Sequence, residues 1–239
     1  MSLGGSTQVR WIGHGTFEFL MPGGEVVLLD PWLEGNPSCS FADKNPRRVD
    51  VILVTHGHSD HVGDVVRLAK QHRAKVVCIY DICTWLTKQG VDGAQLVGMN
   101  KGGSTEVIPG FSLTMVRAEH SSGIDDGSGR LVYMGEPVGY ILRFAGTPTI
   151  YASGDTAVFM DMQLFGEMYQ PHTAILPIGG FFTMDPPAAA RAARMLKVRN
   201  VIPGHCSTFP LLSGTPEQLQ QALGSDVAVL AVKPGAVIA

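Results

Sequence analysis

Between Thr55 and Val62 the chain reads His56-Gly57-His58-Ser59-Asp60-His61, three imidazoles and a carboxylate within six residues. Imidazole nitrogen and carboxylate oxygen are the donors that bind zinc and similar divalent ions. His56 and His58 lie two apart on what reads as extended chain, so both side chains point the same way. Asp60 and His61 fall on the turn into a helix and can face a second ion beside the first. A polar surface loop has no use for three imidazoles that repel protons from one another. Three more candidates stand at the ends of apolar runs: His120, Asp155 in Ala152-Ser153-Gly154-Asp155, and His205 in Ile202-Pro203-Gly204-His205. Each has small neighbours that let backbone and metal approach closely.

The elements that position these residues alternate along the chain. Gln8–Gly13, Thr16–Met21 and Val26–Asp30 read as strands, with Pro22-Gly23-Gly24 as a hairpin loop. Val49–Thr55 is apolar and β-branched, the pattern of a strand buried on both faces, and it ends at His56. From Asp60 the spacing of Val62, Val65, Val66 and Ala69 predicts a helix. Lys75–Ile79 reads as a strand, and Asp81 as the cap of a helix to Gln89. Phe111–Arg117, Val138–Phe144 and Thr149–Ser153 are strands around a polar loop, Ser121–Gly135. Helix Phe159–Met168 and strand Thr173–Pro177 follow. Asp185-Pro186-Pro187 opens a helix to Leu196, then comes strand Asn200–Ile202. Thr215-Pro216-Glu217-Gln218 is a capping-box pattern for a helix to Leu223. Each half thus has a strand group followed by helix–strand units. This predicts an α/β (α+β) fold of two similar halves, two sheets face to face with helices outside, in one domain over 1–239.

Composition agrees with a folded globular chain. Hydrophobic residues make up 45% of the 239 residues and charged residues 16%. A chain of this length buries roughly 72% of its unfolded surface and needs no disulfide to hold its core. The net charge of −3 and the scattered basic residues give no footprint for nucleic acid. No run of about 18 apolar residues suits a membrane. The four cysteines, Cys39, Cys78, Cys83 and Cys206, have no CxxC spacing and read as reduced thiols. With no apolar leader at the start, the expectation is a cytoplasmic protein with a small-molecule substrate and no nucleic-acid or membrane partner. A homo-oligomer is compatible with all of this.

The set His-x-His-x-Asp-His, then His, Asp and His, resembles the metallo-β-lactamase fold superfamily over essentially the whole chain. The resemblance implies a four-layer αββα sandwich. It also implies that His56, His58 and His120 bind one metal, that Asp60, His61 and His205 bind the other, and that Asp155 bridges both. Trp11-Ile12-Gly13-His14-Gly15, Leu29-Asp30-Pro31-Trp32-Leu33-Glu34-Gly35-Asn36-Pro37 and Pro177-Ile178-Gly179-Gly180-Phe181-Phe182-Thr183-Met184 are similar to the UPF0173-type metal-dependent hydrolases, relatives of the bacterial L-ascorbate-6-phosphate lactonase. Ile202–Pro210 matches their last metal motif. Phe181 stands where those proteins usually carry His, and Cys206 where they usually carry Tyr.

The expected chemistry is hydrolysis of a small anionic ester, lactone or phosphoester. Two divalent ions lower the pKa of a shared water, giving a bridging hydroxide as nucleophile, and Asp60 orients it and takes its proton. The ions, two carboxylates and hydroxide sum to about +1, which favours an anionic substrate. Zinc is the first expectation for the ions; manganese and iron suit the same donors. Asp30 reads as a carboxylate holding a ligand His by its far nitrogen. His14 and Gly180 read as substrate contacts. His72 reads as solvated, His172 has no role, and Cys206 reads as packed core. The alternatives are a nuclease or phosphodiesterase on the same fold, against which the missing basic surface argues, and a non-catalytic module holding iron.

Overall fold

The computed structural model of the chain describes residues 4–238; the first three positions and the last, which the expected domain includes, lie outside the described residues. The first half contains β1 (Gln8–Gly13), β2 (Thr16–Leu20), β3 (Val26–Leu29), β4 (Val51–Leu53), α1 (Ser59–Val62), α2 (Val65–His72), β5 (Lys75–Ile79), α3 (Tyr80–Lys88) and β6 (Leu96–Met99). The second begins with β7 (Ser104–Ile108), β8 (Phe111–Arg117), β9 (Gly123–Asp125), β10 (Leu131–Tyr133), β11 (Val138–Phe144) and β12 (Ile150–Ala152). It continues with α4 (Asp161–Tyr169), β13 (Thr173–Pro177), α5 (Pro186–Leu196), β14 (Asn200–Gly204), α6 (Pro216–Leu223), β15 (Ala228–Val229) and β16 (Val237–Ile238).

One sheet has the order β16-β1-β2-β3-β4-β5-β6 and the other β15-β14-β13-β12-β11-β8-β7. In the first, β16, β1, β2 and β3 pair antiparallel and β3, β4, β5 and β6 pair parallel. In the second, β7, β8, β11 and β12 pair antiparallel and β12, β13, β14 and β15 pair parallel. The same pairing pattern thus occurs twice, as two similar halves require. The parallel strands β4, β13 and β14 are buried at every residue, which is why they read as unbroken apolar runs. Their crossovers are helical, and right-handed crossovers put the helices of each sheet on one face. The other faces meet. Tyr140 of β11, fully buried, donates its hydroxyl proton to the Val54 carbonyl oxygen at 2.6 Å, and Phe19 of β2 stacks on Phe144 of β11 at 5.3 Å. The result is the αββα order.

Several boundaries differ from expectation. The helix predicted from Asp60 is two helices, because Asp64 leaves the helical region at φ −108°, ψ 0°. Its buried carboxylate accepts from the backbone N–H of Leu33 at 2.6 Å and Glu34 at 3.0 Å and pairs with Arg67. Tethering the Asp30–Glu34 turn thus takes precedence over helix continuity. Asp81 is not a cap: α3 begins at Tyr80 with Ile79 before it and no side-chain cap. The polar loop 121–135 contains the hairpin β9–β10, closed where Asp125 Oδ1 accepts from Gly127 N at 2.8 Å and Gly129 N at 3.1 Å. Strands β6, β7, β15 and β16 had no clear alternation to announce them. Asp185 caps α5, and the Thr215–Gln218 capping box of α6 is formed. His72, expected to be solvated, is half-buried with Nε2 enclosed and lacking a hydrogen-bond partner. Among the described residues no helix is long and apolar enough to cross a membrane.

Candidate metal centre

The residues singled out by type and spacing come together where strands of both sheets end. His14 follows β1, Asp30 follows β3, and His56 and His58 follow β4. His120 follows β8, Asp155 follows β12, and His205 follows β14. β3 and β12 are the strands at which each sheet switches from antiparallel to parallel pairing, the place where neighbouring connections diverge and leave a crevice. The chain is forced into unusual shapes there. His14, Asp30 and His205 adopt left-handed φ of 54°, 46° and 49°, uncommon for residues with side chains. Gly57 is required within the His-rich segment, since a Cβ there would meet Met134 Cβ at 2.2 Å.

The donors form two nests, and a third grouping of Asp30, His56 and His61 spans them. His56, His58 and His120 present one nitrogen each within 4.8 Å of one another. His14, Asp60, His61 and His205 do the same. In the first, His56 Nε2 and His58 Nδ1 are 3.0 Å apart. Two imidazole nitrogens at that distance either share a proton or present both lone pairs to a cation. Asp155 Oδ2 lies between the nests, 4.0 Å from His56 Nε2, 3.7 Å from His120 Nε2, 3.4 Å from His61 Nε2 and 3.0 Å from His205 Nε2.

The supporting contacts fix which nitrogen faces inward. Asp30, 1% exposed, accepts from Thr55 N at 2.7 Å and Thr55 Oγ1 at 2.6 Å, and its Oδ2 lies 2.8 Å from His61 Nδ1. That leaves His61 Nε2 enclosed with no hydrogen-bond partner, aimed at the second nest. A buried nitrogen without a hydrogen bond, 3.4 Å from Asp155 Oδ2 and among imidazoles, is a donor suited to a cation. The donor set of imidazoles and carboxylates fits a divalent transition metal. Thr55 Oγ1 also lies 3.0 Å from His56 Nδ1, so one hydroxyl touches both Asp30 and a donor of the other nest.

Electrostatics follow from crowding. Burial and neighbouring imidazoles lower His56, His58 and His120. Burial is the largest influence on His61 and His205 and opposes their charge, but Asp155 together with Asp30 raises His61, and Asp155 together with Asp60 lifts His205 to about 9. Burial likewise opposes ionisation of Asp60 and Asp155, yet both are held well below the usual carboxylate range, Asp60 chiefly by hydrogen bonds from His14 and His205 and Asp155 chiefly by the charges of His61 and His205. Burial pushes Asp30 up, against the pull of its donors.

Not every expected residue sits as expected. His14 is completely buried, so the structure does not offer it as an open substrate contact. Its Nε2 lies 2.9 Å from Asp60 Oδ2 and its Nδ1 2.9 Å from Thr208 Oγ1, while its carbonyl oxygen accepts from His205 N. Burial lowers it to about 4, so it is neutral at pH 7. Gly180 lines a groove of about 440 Å³ with Asp185, Pro186 and Gln218, which none of the clustered His and Asp residues lines. Cys206 is buried core, with burial raising its thiol to about 11. Sequence reasoning missed Thr55, Thr208 and Phe209. Thr55 precedes the His-rich segment and was the one within reach; the others meet the site only through the fold.

Two sheets of matched pairing, with His and Asp donors gathered at the switch strands, define a metallo-β-lactamase fold. Residues 25–206 match the family model for the β-lactamase superfamily domain. The chain is 48% identical over 240 residues, covering 98% of each chain, to a UPF0173 metal-dependent hydrolase of Roseiflexus sp. (strain RS-1). It is 47% identical over 214 residues, 90% of each chain, to one of Koribacter versatilis. The structure of Igni18, a metallo hydrolase from the archaeon Ignicoccus hospitalis, superposes with a TM-score of 0.85 at 32% identity, over 97% of each chain. The chain belongs to the UPF0173 family of metal-dependent hydrolases, within the β-lactamase superfamily.

Proposed function

We propose that the chain is a dinuclear metal-dependent hydrolase of a small ester, lactone or phosphoester. The observation that carries the reading is Asp155 Oδ2, which stands within 4.0 Å of donors from both nests at once. His56, His58 and His120 would hold one divalent cation; Asp60, His61 and His205 would hold the other, with Asp155 shared. Bound there, such a pair of ions would make hydroxide available near neutral pH and would polarise a carbonyl or phosphoryl oxygen.

The chain's own residues prepare this chemistry. Once His61 gives up its second proton, Asp30 holds the neutral ring in the tautomer that leaves Nε2 bare. Neutral His14 accepts the Thr208 hydroxyl proton at Nδ1 and donates its Nε2–H to Asp60 Oδ2. Asp60 is thereby fixed in rotation, with its second oxygen left to accept a proton from the attacking water. Its side chain is 28% exposed, against 5% for Asp155, so Asp60 is the carboxylate on the open side. Zinc is the ion we propose first. The test is metal analysis of protein purified without added metal, followed by a screen of that preparation against lactones, phosphodiesters and phosphomonoesters. Two equivalents of metal and turnover of one class support the reading; retention of no metal after reconstitution ends it.

A further inference from the structure

We propose that the substrate carries an aryl group, seated on an aromatic wall formed by Trp32 and Phe209 beside Asp60. The inference rests on the metal-hydrolase reading above and extends it to the part of the substrate that does not react. Trp32 and Phe209 come from opposite sheets, after β3 and β14, and meet with ring centroids 6.1 Å apart. Both pack on the His14 ring, at 5.2 Å and 5.6 Å, and His14 is the residue hydrogen-bonded to Asp60. The wall is therefore one side chain removed from the open carboxylate of the site.

It is also uncovered. Phe209 is 40% exposed and Trp32 is half-buried. A second exposed aromatic pair lies on the loop after β13: Phe181 and Phe182, 4.7 Å apart, are 74% and 51% exposed. That loop is anchored at the site, since Met184 N donates to the carbonyl of Thr156, the neighbour of Asp155. A Cβ at Gly179 would come within 2.2 Å of the His205 carbonyl oxygen, so the backbones touch. Phe181 holds a left-handed φ of 58°, an outlier for a bulky residue. Neighbouring aromatic side chains open to water beside convergent polar groups have the make-up of a ligand surface.

Charge points the same way. Among the described residues, the ion pairs of His56, Asp60, His61, His120, Asp155 and His205 are with one another and with His14 and Asp30, not with Lys or Arg. A single anionic or polarisable head would be met by the cations, and the rest of the molecule by ring faces and edges.

The experiment compares phenylphosphonate with methylphosphonate, which share a head group, by calorimetric titration of the metal-reconstituted protein, with metal content measured on the same sample. Phenylphosphonate should bind at least about tenfold tighter, about 1.4 kcal/mol. Phe209→Ala and Trp32→Ala should bring the two ligands to within about twofold of each other at unchanged metal content. Phe209, being largely exposed, is the variant that keeps the test valid if Trp32→Ala misfolds. Equal affinities in the wild type, or a preference that survives Phe209→Ala, overturn the aryl assignment and leave the metal reading intact. Failure of the protein to take up metal removes the metal reading, and the aryl assignment with it.

Discussion

Asp30 Oδ2 and His61 Nδ1 lie 2.8 Å apart in the floor of the site, both side chains 1% exposed. Neither can turn to water, so each fixes the other's proton. In the Asp30→Asn protein an NH₂ group replaces one carboxylate oxygen. If the amide nitrogen faces His61 Nδ1, it forces the proton onto Nε2, the atom needed as a donor. Partners behind a ligand imidazole typically contribute 10–100-fold to metal affinity. We expect Asp30→Asn to lose about that much affinity in chelator competition, chiefly for one ion of the two. Unchanged affinity for both ions would mean that His61 is oriented by packing alone.

His58→Ala removes one donor of the first nest without touching the buried floor, since His58 is only half-buried and its Nε2 lies 3.2 Å from exposed Ser121. We expect loss of one metal equivalent and nearly all hydrolysis, with circular dichroism and melting temperature close to wild type. Full activity in that variant would falsify the metal-hydrolase reading.

Asp155→Ala should behave differently. Its Oδ2 faces donors of both nests, so occupancy of both positions should fall together in elemental analysis. Loss of one ion only would make Asp155 a terminal donor. Stability should also change, since His61 and His205 lose the carboxylate that raises them.

Metal uptake should release protons. In the metal-free protein His205 is raised to about 9, and His61 is raised as well. A raised pKa keeps each imidazole protonated at pH 7, whereas a cation binds only the neutral ring. Affinity should therefore climb between pH 6 and about 9. Calorimetry at pH 7 in two buffers of different ionisation enthalpy should show proton release. Buffer-independent heats would show that both rings are already neutral.

Much of this site was legible because its residues lie at strand ends, where an apolar run stops at a lone His or Asp. His120, Asp155 and His205 were found that way, and His56, His58, Asp60 and His61 by their crowding within six residues. The doubled sheet pattern was legible for the same reason, since buried parallel strands are unbroken apolar runs. What stayed hidden depends on contacts between distant segments. Nothing near Thr208 signals that its hydroxyl meets His14, or near Phe209 that its ring meets Trp32. The break at Asp64 was hidden because its cause is the Leu33–Glu34 backbone. Strands β15 and β16, two residues each, are too short to show a period.

Asp60 decides whether the site is catalytic or only binds metal. As a donor it supplies one bond among several to its ion, and losing its charge should weaken that ion yet leave it bindable in excess metal. As proton acceptor it acts in the transition state as well, and positioned acceptors typically contribute about 10²–10⁴-fold in rate. The structure adds a constraint. His14 Nε2, 2.9 Å from Asp60 Oδ2, is buried and neutral, and a Thr208 hydroxyl donating to Nδ1 at 2.9 Å favours the tautomer that carries its proton on Nε2. In Asp60→Asn the amide oxygen can keep that hydrogen bond, which turns the NH₂ group toward the open side, where the carboxylate would have taken a proton. Saturated with metal, this variant should retain both ions and lose at least about 10²-fold in single-turnover rate. Thr208→Val should cost less, because His14 keeps one proton but loses the partner that selects its tautomer. Both rates and metal contents must come from the same preparations. A fully loaded Asp60→Asn enzyme with near wild-type rate would reduce Asp60 to a donor, and the proton would have to leave by another group.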